Sequence, residues 1–126
     1  MNLNQVTIFT SRTEELVGFY RKLGLKLIVD SLPRYARMEC PDGDATLSVH
    51  STDVAETASS IVLYFECEDL DARVAELKAA GLEFDEDPQD QPWLWREAYL
   101  KDPAGNRVCL FYGGEIRKNP PWKVES

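Results

Sequence analysis

Side chains able to do chemistry are few in this chain. Its 126 residues hold one histidine, His50, and three cysteines, Cys40, Cys67 and Cys109. The cysteines are 27 and 42 apart. That spacing matches no CxxC pair, no Cys/His zinc site and no disulfide framework, so the thiols read as reduced. A single imidazole excludes a metal centre built on two or three histidines. It leaves room for one proton carrier titrating near neutrality. Cys109 could act as a nucleophile only beside a base, and the sequence fixes none there. Trp93 and Trp95, two residues apart, are read as lying on one side of a strand. Their rings could stack on a planar or cationic molecule, or instead pack a dimer seam or a sheet edge. Arg37 could grip a carboxylate or phosphate, or be a surface charge. Asp85-Glu86-Asp87 reads as a solvated loop.

Composition narrows the partners. Fourteen Lys and Arg stand against 22 Asp and Glu, a net charge of −8. Phosphate binding needs a cationic face, so nucleic acid is excluded as a partner. No apolar run approaches the ~20 residues of a membrane span. The start, Met1-Asn2-Leu3-Asn4-Gln5, has no basic or apolar export signal, which predicts a cytoplasmic protein. With 44% hydrophobic residues the chain can pack a core without a staple.

The elements that must position these groups follow from periodicity. Val6 and Ile8 alternate with polar neighbours, as in a half-buried strand. Ser11 or Thr13 opens a helix whose apolar positions are Leu16, Phe19, Tyr20 and Leu23, and Gly24 stops it. Leu25, Leu27 and Val29 predict a second strand, Tyr35 to Glu39 a third, and Thr46 to His50 a fourth. Pro41-Asp42-Gly43-Asp44 marks the turn between the last two. After a polar stretch, Ser51 to Ser59, the order starts again. Ile61, Leu63 and Phe65 alternate; Leu70, Val74 and Leu77 follow at helical spacing; Gly81 ends that helix. Leu82 and Phe84 begin a strand, Trp93 to Lys101 holds another, and Asp102-Pro103-Ala104-Gly105-Asn106 turns into a final one with Val108 and Leu110.

The pattern is βαβββ, twice. A shift of 57 carries Gly24-Leu25 onto Gly81-Leu82 and Val6 and Ile8 onto Leu63 and Phe65. A shift of 61 carries Leu47 and Val49 onto Val108 and Leu110. The expected fold is therefore α+β: tandem modules, about 1–52 and 59–112, in one domain of residues 1–112. One helix covers only one face of each four-stranded half. A curved, eight-stranded mixed sheet around a cleft satisfies the other face. Alternation puts Val6, Ile8, Leu47, Val49, Leu63, Phe65, Val108 and Leu110 toward the helices. Gln5, Thr7, Phe9, Ser48, His50, Val62, Tyr64, Arg107, Cys109 and Phe111 then line the cleft, unless they fill a closed barrel. Glu39 and Glu97 are left on either side. Residues 113–126 form a tail in which Pro120-Pro121 is stiff and Trp122 is an apolar anchor.

This arrangement resembles the vicinal oxygen chelate superfamily, which includes glyoxalase I, bleomycin-resistance proteins, fosfomycin-resistance proteins and extradiol dioxygenases. The resemblance is carried by Val6-Thr7-Ile8-Phe9, Phe19-Tyr20-Arg21-Lys22-Leu23-Gly24-Leu25, Tyr64 to Asp71, Ala79-Ala80-Gly81 and Asp102 to Asn106, in that order over residues 3–112. It implies two paired modules around a cleft, and a homodimer. In metal-dependent members one ligand comes from each of four strands. The resemblance puts those positions on Gln5, Ser48, Val62 and Cys109. Valine cannot ligate, Gln and Ser are weak neutral donors, and Cys is soft where a hard ion wants oxygen. The expectation is a chain with no metal and no cofactor that sequesters a small molecule, cationic or aromatic, in an aromatic-lined cleft. The lining would be Gln5, Thr7, Arg37, Ser48, His50, Val62, Tyr64, Trp93, Trp95, Cys109 and Phe111. The rival is an enzyme of the same superfamily, a lyase, isomerase or dioxygenase relative, with an unorthodox site around His50 or with Tyr64 as acid/base. No catalytic residue is assigned.

Overall fold

A computed structural model describes residues 2–54 and 61–124. Most of the expected polar linker between the modules, residues 55–59, lies outside that range. The chain divides into two compact units: residues 1–59 with 102–105, and residues 60–101 with 106–126.

In the first unit β1 (Gln5–Thr10), α1 (Thr13–Leu23), β2 (Lys26–Ser31), β3 (Tyr35–Glu39) and β4 (Thr46–Ser51) follow in order. The sheet order is β1-β4-β3-β2, with β1 parallel to β4 and the other pairs antiparallel. The second unit repeats this with β5 (Val62–Glu66), α2 (Leu70–Ala79), β6 (Glu86–Asp90), β7 (Arg96–Lys101) and β8 (Arg107–Tyr112), in the order β5-β8-β7-β6. All eight expected strands and both helices are present, four strands to each of two sheets. A short 3₁₀ helix, Gly114–Arg117, follows β8.

Each helix lies where the apolar spacing requires. Leu16, Val17, Phe19, Tyr20 and Leu23 of α1 are buried, as are Leu70, Val74 and Leu77 of α2. Gly24 (φ 121) and Gly81 (φ 99) both adopt the left-handed backbone that lets the chain leave a helix and turn back. α1 lies over β3 and β4, and α2 over β6, β7 and β8. Beneath α1 are Ala36, Met38, Leu47 and Val49, and beneath α2 are Ala98, Leu100, Val108 and Leu110, each at most 3% exposed. Burying such side chains contributes roughly 1.5–3 kcal/mol apiece for the larger ones. Tyr20, fully buried, donates its hydroxyl to Asp102 Oδ2 at 2.7 Å. Burial, and then the Asp102 charge, hold that phenol protonated.

Four local expectations need correction. Neither Ser11 nor Thr13 caps α1. The residue before the helix is Arg12, and the Thr13 hydroxyl instead donates to the Pro33 carbonyl at 2.7 Å. In β2 the register shifts between Leu27 and Val29, so Val29 pairs with Arg37 and leaves the face of Leu27. Leu82 and Phe84 precede the strand they were expected to begin. β6 holds Glu86 to Asp90, so Glu86 and Asp87 are strand and not loop. β6 is an edge strand carrying Pro88 and, like β2, a register shift, between Glu86 and Gln89. Charge, proline and bulge together protect such an edge.

Candidate functional site

Opposite its helix, each sheet has a second face, and cross-strand register names its residues. In the first unit Thr7 pairs with Ser48 and Phe9 with His50 across β1 and β4. Arg37 pairs with Ser48 and Tyr35 with His50 across β3 and β4. In the second unit Val62 pairs with Arg107, Tyr64 with Cys109 and Glu66 with Phe111. Glu97 pairs with Phe111 and Tyr99 with Cys109. Directly paired residues share a face, so these sets stand away from the helices.

The first face is polar with an aromatic rim. The Tyr35 hydroxyl and Ser48 Oγ are 2.9 Å apart, and Arg37 Nε donates to the same hydroxyl at 3.0 Å. The hydrogen bond with Ser48 and the guanidinium hold that phenol below its ordinary value. His50 lies between rings, 5.1 Å from Phe9 and 5.9 Å from Tyr35. Its Nδ1 is 2.9 Å from the Ser51 carbonyl. A carbonyl only accepts, so Nδ1 carries the proton, and in the neutral ring Nε2 keeps its lone pair. Phe9 is 61% exposed. Gln5 lies at the strand's exposed start, its Oε1 accepting from Thr46 Oγ1 at 2.8 Å.

The second face is aromatic around one carboxylate. Trp95 stacks on Phe111, with centroids 4.5 Å apart and planes 21° from parallel. Tyr64 meets both edge-on, at 6.0 Å from Trp95 and 5.6 Å from Phe111. Glu97 Oε2 accepts from Trp93 Nε1 at 2.7 Å, and Oε1 from the Tyr99 hydroxyl at 3.0 Å. The Arg107 guanidinium lies 4.9 Å from the Tyr99 ring centre. Burial raises the Tyr99 phenol, and the neighbouring Tyr64 and Cys109 add to the shift. Burial likewise pushes the Cys109 thiol up to about 12. A neutral, buried thiol is a poor nucleophile.

The tryptophans do not share one side of a strand. β7 begins only at Arg96; Trp93 sits in the turn before it, and the intervening Leu94 has φ 72. Leu94 N–H donates to the Gln91 carbonyl at 2.9 Å, which closes the turn. Trp95 therefore joins the aromatic cluster, while Trp93 covers Glu97. Gly113 also lies close against Trp95: a Cβ there would come within 3.0 Å of its Nε1. The tail leaves β8 over this ring and is tied back to β5. Gly113 and Gly114 N–H both donate to Glu66 Oε2, at 3.0 and 2.9 Å, and Arg117 lies 3.7 Å from Oε1. Trp122, the expected anchor, is 58% exposed.

Sequence reasoning left Glu97 unplaced and did not select Tyr35 or Tyr99. The turn at Pro41 to Asp44 held the missing signal. Counting outward from it pairs Tyr35 with His50, and the duplication carries that position to Glu97.

The four positions where metal-dependent relatives would ligate do not make a site for a hard divalent ion. Val62 offers no donor, Gln5 and Ser48 are engaged by Thr46 and Tyr35, and Cys109 holds its proton. Among the described residues no three His, Cys, Asp or Glu side chains gather, and no helix is long and apolar enough to cross a membrane. Away from these faces, a groove of about 230 Å³ lies between α2 and β6. Its charged walls are tied up in ion pairs, Arg96 with Asp71 and Lys78 with Asp87.

Solved structures share this architecture. A glyoxalase/bleomycin resistance protein/dioxygenase from Nocardioides superposes with a TM-score of 0.79 at 23% identity, covering 99% of this chain and 90% of that one. TnmS3, an antibiotic binding protein from Streptomyces sp. CB03234, gives 0.76 at 24%, covering 90% and 97%. Lactoylglutathione lyase from Agrobacterium tumefaciens gives 0.72 at 17%, covering 89% and 93%. At these identities the likeness is one of fold, and the fold serves a binder and an enzyme alike. Comparison with curated proteins finds no match. The sequence model of the Glyoxalase/Bleomycin resistance protein/Dioxygenase superfamily matches residues 2–110, and the chain belongs to that family.

Proposed function

We propose that this protein binds and sequesters a small organic molecule without a metal, using the open faces of its sheets. The observation that carries the reading is the Tyr64–Trp95–Phe111 cluster, with Tyr64 48% exposed at its margin. A planar ring laid on such a surface gains area burial and stacking at little conformational cost, since aromatic side chains have few rotors. The first face supplies hydrogen-bonding groups at Gln5, Thr7, Arg37 and His50, while Ser48 is fully buried and held by Tyr35. Val62 adds apolar surface to the second, where Cys109 is fully buried. Each face by itself sets aromatic rings beside polar groups, as small-molecule sites do. The poor donor set at Gln5, Ser48, Val62 and Cys109 supports metal-free binding. TnmS3, which shares the fold, is by name an antibiotic binder, and that supports the ligand class.

A thermal-shift screen of planar aromatic compounds, run with and without EDTA, tests this. Ligand at 100 times Kd should stabilise the fold by about 2.7 kcal/mol in both conditions. Trp95→Ala should abolish the shift. A shift seen only with added divalent metal would refute the proposal. Conversion of a bound compound that stops in His50→Ala would favour the enzyme instead.

A further inference from the structure

We propose that Glu97 reads charge on the second face and selects planar ligands that carry a protonated amine or amidine. The inference rests on the aromatic face described under the proposed function and adds a chemical class to it. Glu97 is 3% exposed. Its two hydrogen-bond donors, the Trp93 indole and the Tyr99 hydroxyl, are both neutral. Among the described residues its carboxylate makes no ion pair. A carboxylate withdrawn from water without a counter-cation is costly, and a ligand cation relieves that cost. Two hydrogen bonds use about half of the four or so lone-pair sites of a carboxylate, so acceptor capacity remains.

The surroundings favour the same ligand. Phe111 pairs directly with Glu97 across the strands, and Trp95 stacks on Phe111. Ring faces attract a cation through their quadrupoles. Nor does the fold demand an acid here. The equivalent position of the first module holds Tyr35, whose neighbours are Ser48 and Arg37. The same backbone register thus carries a phenol beside a cation in one module and an unpaired carboxylate in the other.

Trp93 supplies the way in. It is 46% exposed and sits in a turn whose next residue, Leu94, holds a positive φ. That conformation costs a side-chain-bearing residue energy that a rearranged turn would recover. A ligand N–H can take the place of the indole N–H on Oε2, donor for donor. The exchange leaves the carboxylate no poorer in hydrogen bonds and exchanges a neutral donor for a charged, stronger one.

The test uses two probes of one shape: 9-aminoacridine, a cation at neutral pH, and acridine, which is neutral there. Each is titrated by calorimetry into wild type, Glu97→Gln and Trp93→Phe, with circular dichroism confirming the fold of each variant. Wild type should bind the cation about tenfold or more tighter than the neutral ring, in keeping with a charge-assisted contact. Glu97→Gln should bring the two within about twofold by weakening the cation alone. Trp93→Phe keeps the carboxylate and frees an acceptor, so its preference should equal or exceed that of wild type. Equal binding of both rings by wild type would overturn the role of Glu97 and leave the aromatic face standing. Binding of neither ring would overturn both. A preference that survives Glu97→Gln, or falls in Trp93→Phe, would also overturn the assignment. If Glu97→Gln does not fold, the Trp93→Phe ratio decides.

Discussion

Gly113→Ala isolates the contact that holds Trp95 in place. Gly113 has φ −118, which any residue adopts, so alanine brings no backbone strain. What it brings is a methyl group 3.0 Å from Trp95 Nε1 and 3.2 Å from both Cδ1 and Cε2. Carbon contacts are optimal at about 3.5–4.0 Å, so the indole or the tail must shift by roughly half an ångström. The indole cannot retreat freely, because Phe111 stacks on it at 4.5 Å. Overpacking of this kind costs typically about 1–3 kcal/mol. For a chain of this size that is a fall in melting temperature of roughly 3–12 °C. Two alanine controls separate the causes. Gly18→Ala, in α1 with nothing within 4 Å, should stabilise by about 0.5–1 kcal/mol. Gly105→Ala, also in open space but with φ 88, should destabilise through the backbone alone. Thermal melts followed by near-ultraviolet circular dichroism read both stability and the asymmetry of the Trp95–Phe111 stack. If Gly113→Ala melts with wild type and leaves that spectrum unchanged, Gly113 does not hold Trp95 in place.

The remaining predictions concern the same face. Glu66→Gln keeps the shape of the side chain but removes the charge that two tail N–H groups and Arg117 share. It should cost about 1–2 kcal/mol, and amide exchange at Gly113 and Gly114 should quicken; unchanged protection there would show that the tail is held by something else. Cys109 should resist iodoacetamide at pH 8–9 in the native protein, since burial pushes its thiol up to about 12 from 9.0. Because the folded state keeps a proton that the unfolded state sheds, the contribution of this thiol to stability is complete below pH 9 and declines as pH rises toward 12. Rapid native alkylation of Cys109, followed by mass spectrometry, would contradict that burial.

What the sequence disclosed and what it hid divide along a physical line. Alternation and helical spacing report burial on one face, so β1, β4, β5, β8 and both helices were legible, with the residues beneath α1 and α2. The duplication added register: because Gly24 and Gly81 end equivalent helices, 57 residues apart, the open-face positions could be located without coordinates. The edge strand β6 gave no such signal. β6 reads Glu-Asp-Pro-Gln-Asp, with no apolar alternation at all, because an edge strand needs protection more than burial. The register shift in β2 moved Val29 off the face that its spacing implied, and nothing local marks a bulge there. Trp93 failed for a related reason. Proximity to Trp95 suggested a shared strand face, but Leu94 takes a left-handed conformation that neither its type nor its neighbours announce.

That turn bears on function more than any strand does. Were Trp93 and Trp95 on one extended segment, both indoles would face the same side and Glu97, two residues further on, would join them at the next position. The left-handed residue separates them. Trp95 goes into the stack with Phe111, while Trp93 brings its indole N–H onto the Glu97 carboxylate. One ring is stacked and the other, half exposed, is held by a hydrogen bond to the carboxylate. The family fold is shared by an antibiotic binding protein and a lyase, so the fold does not choose between them. The choice falls to side chains such as these. A face that offers stacked rings beside a buried carboxylate has the groups that the proposed binding of a planar cation requires.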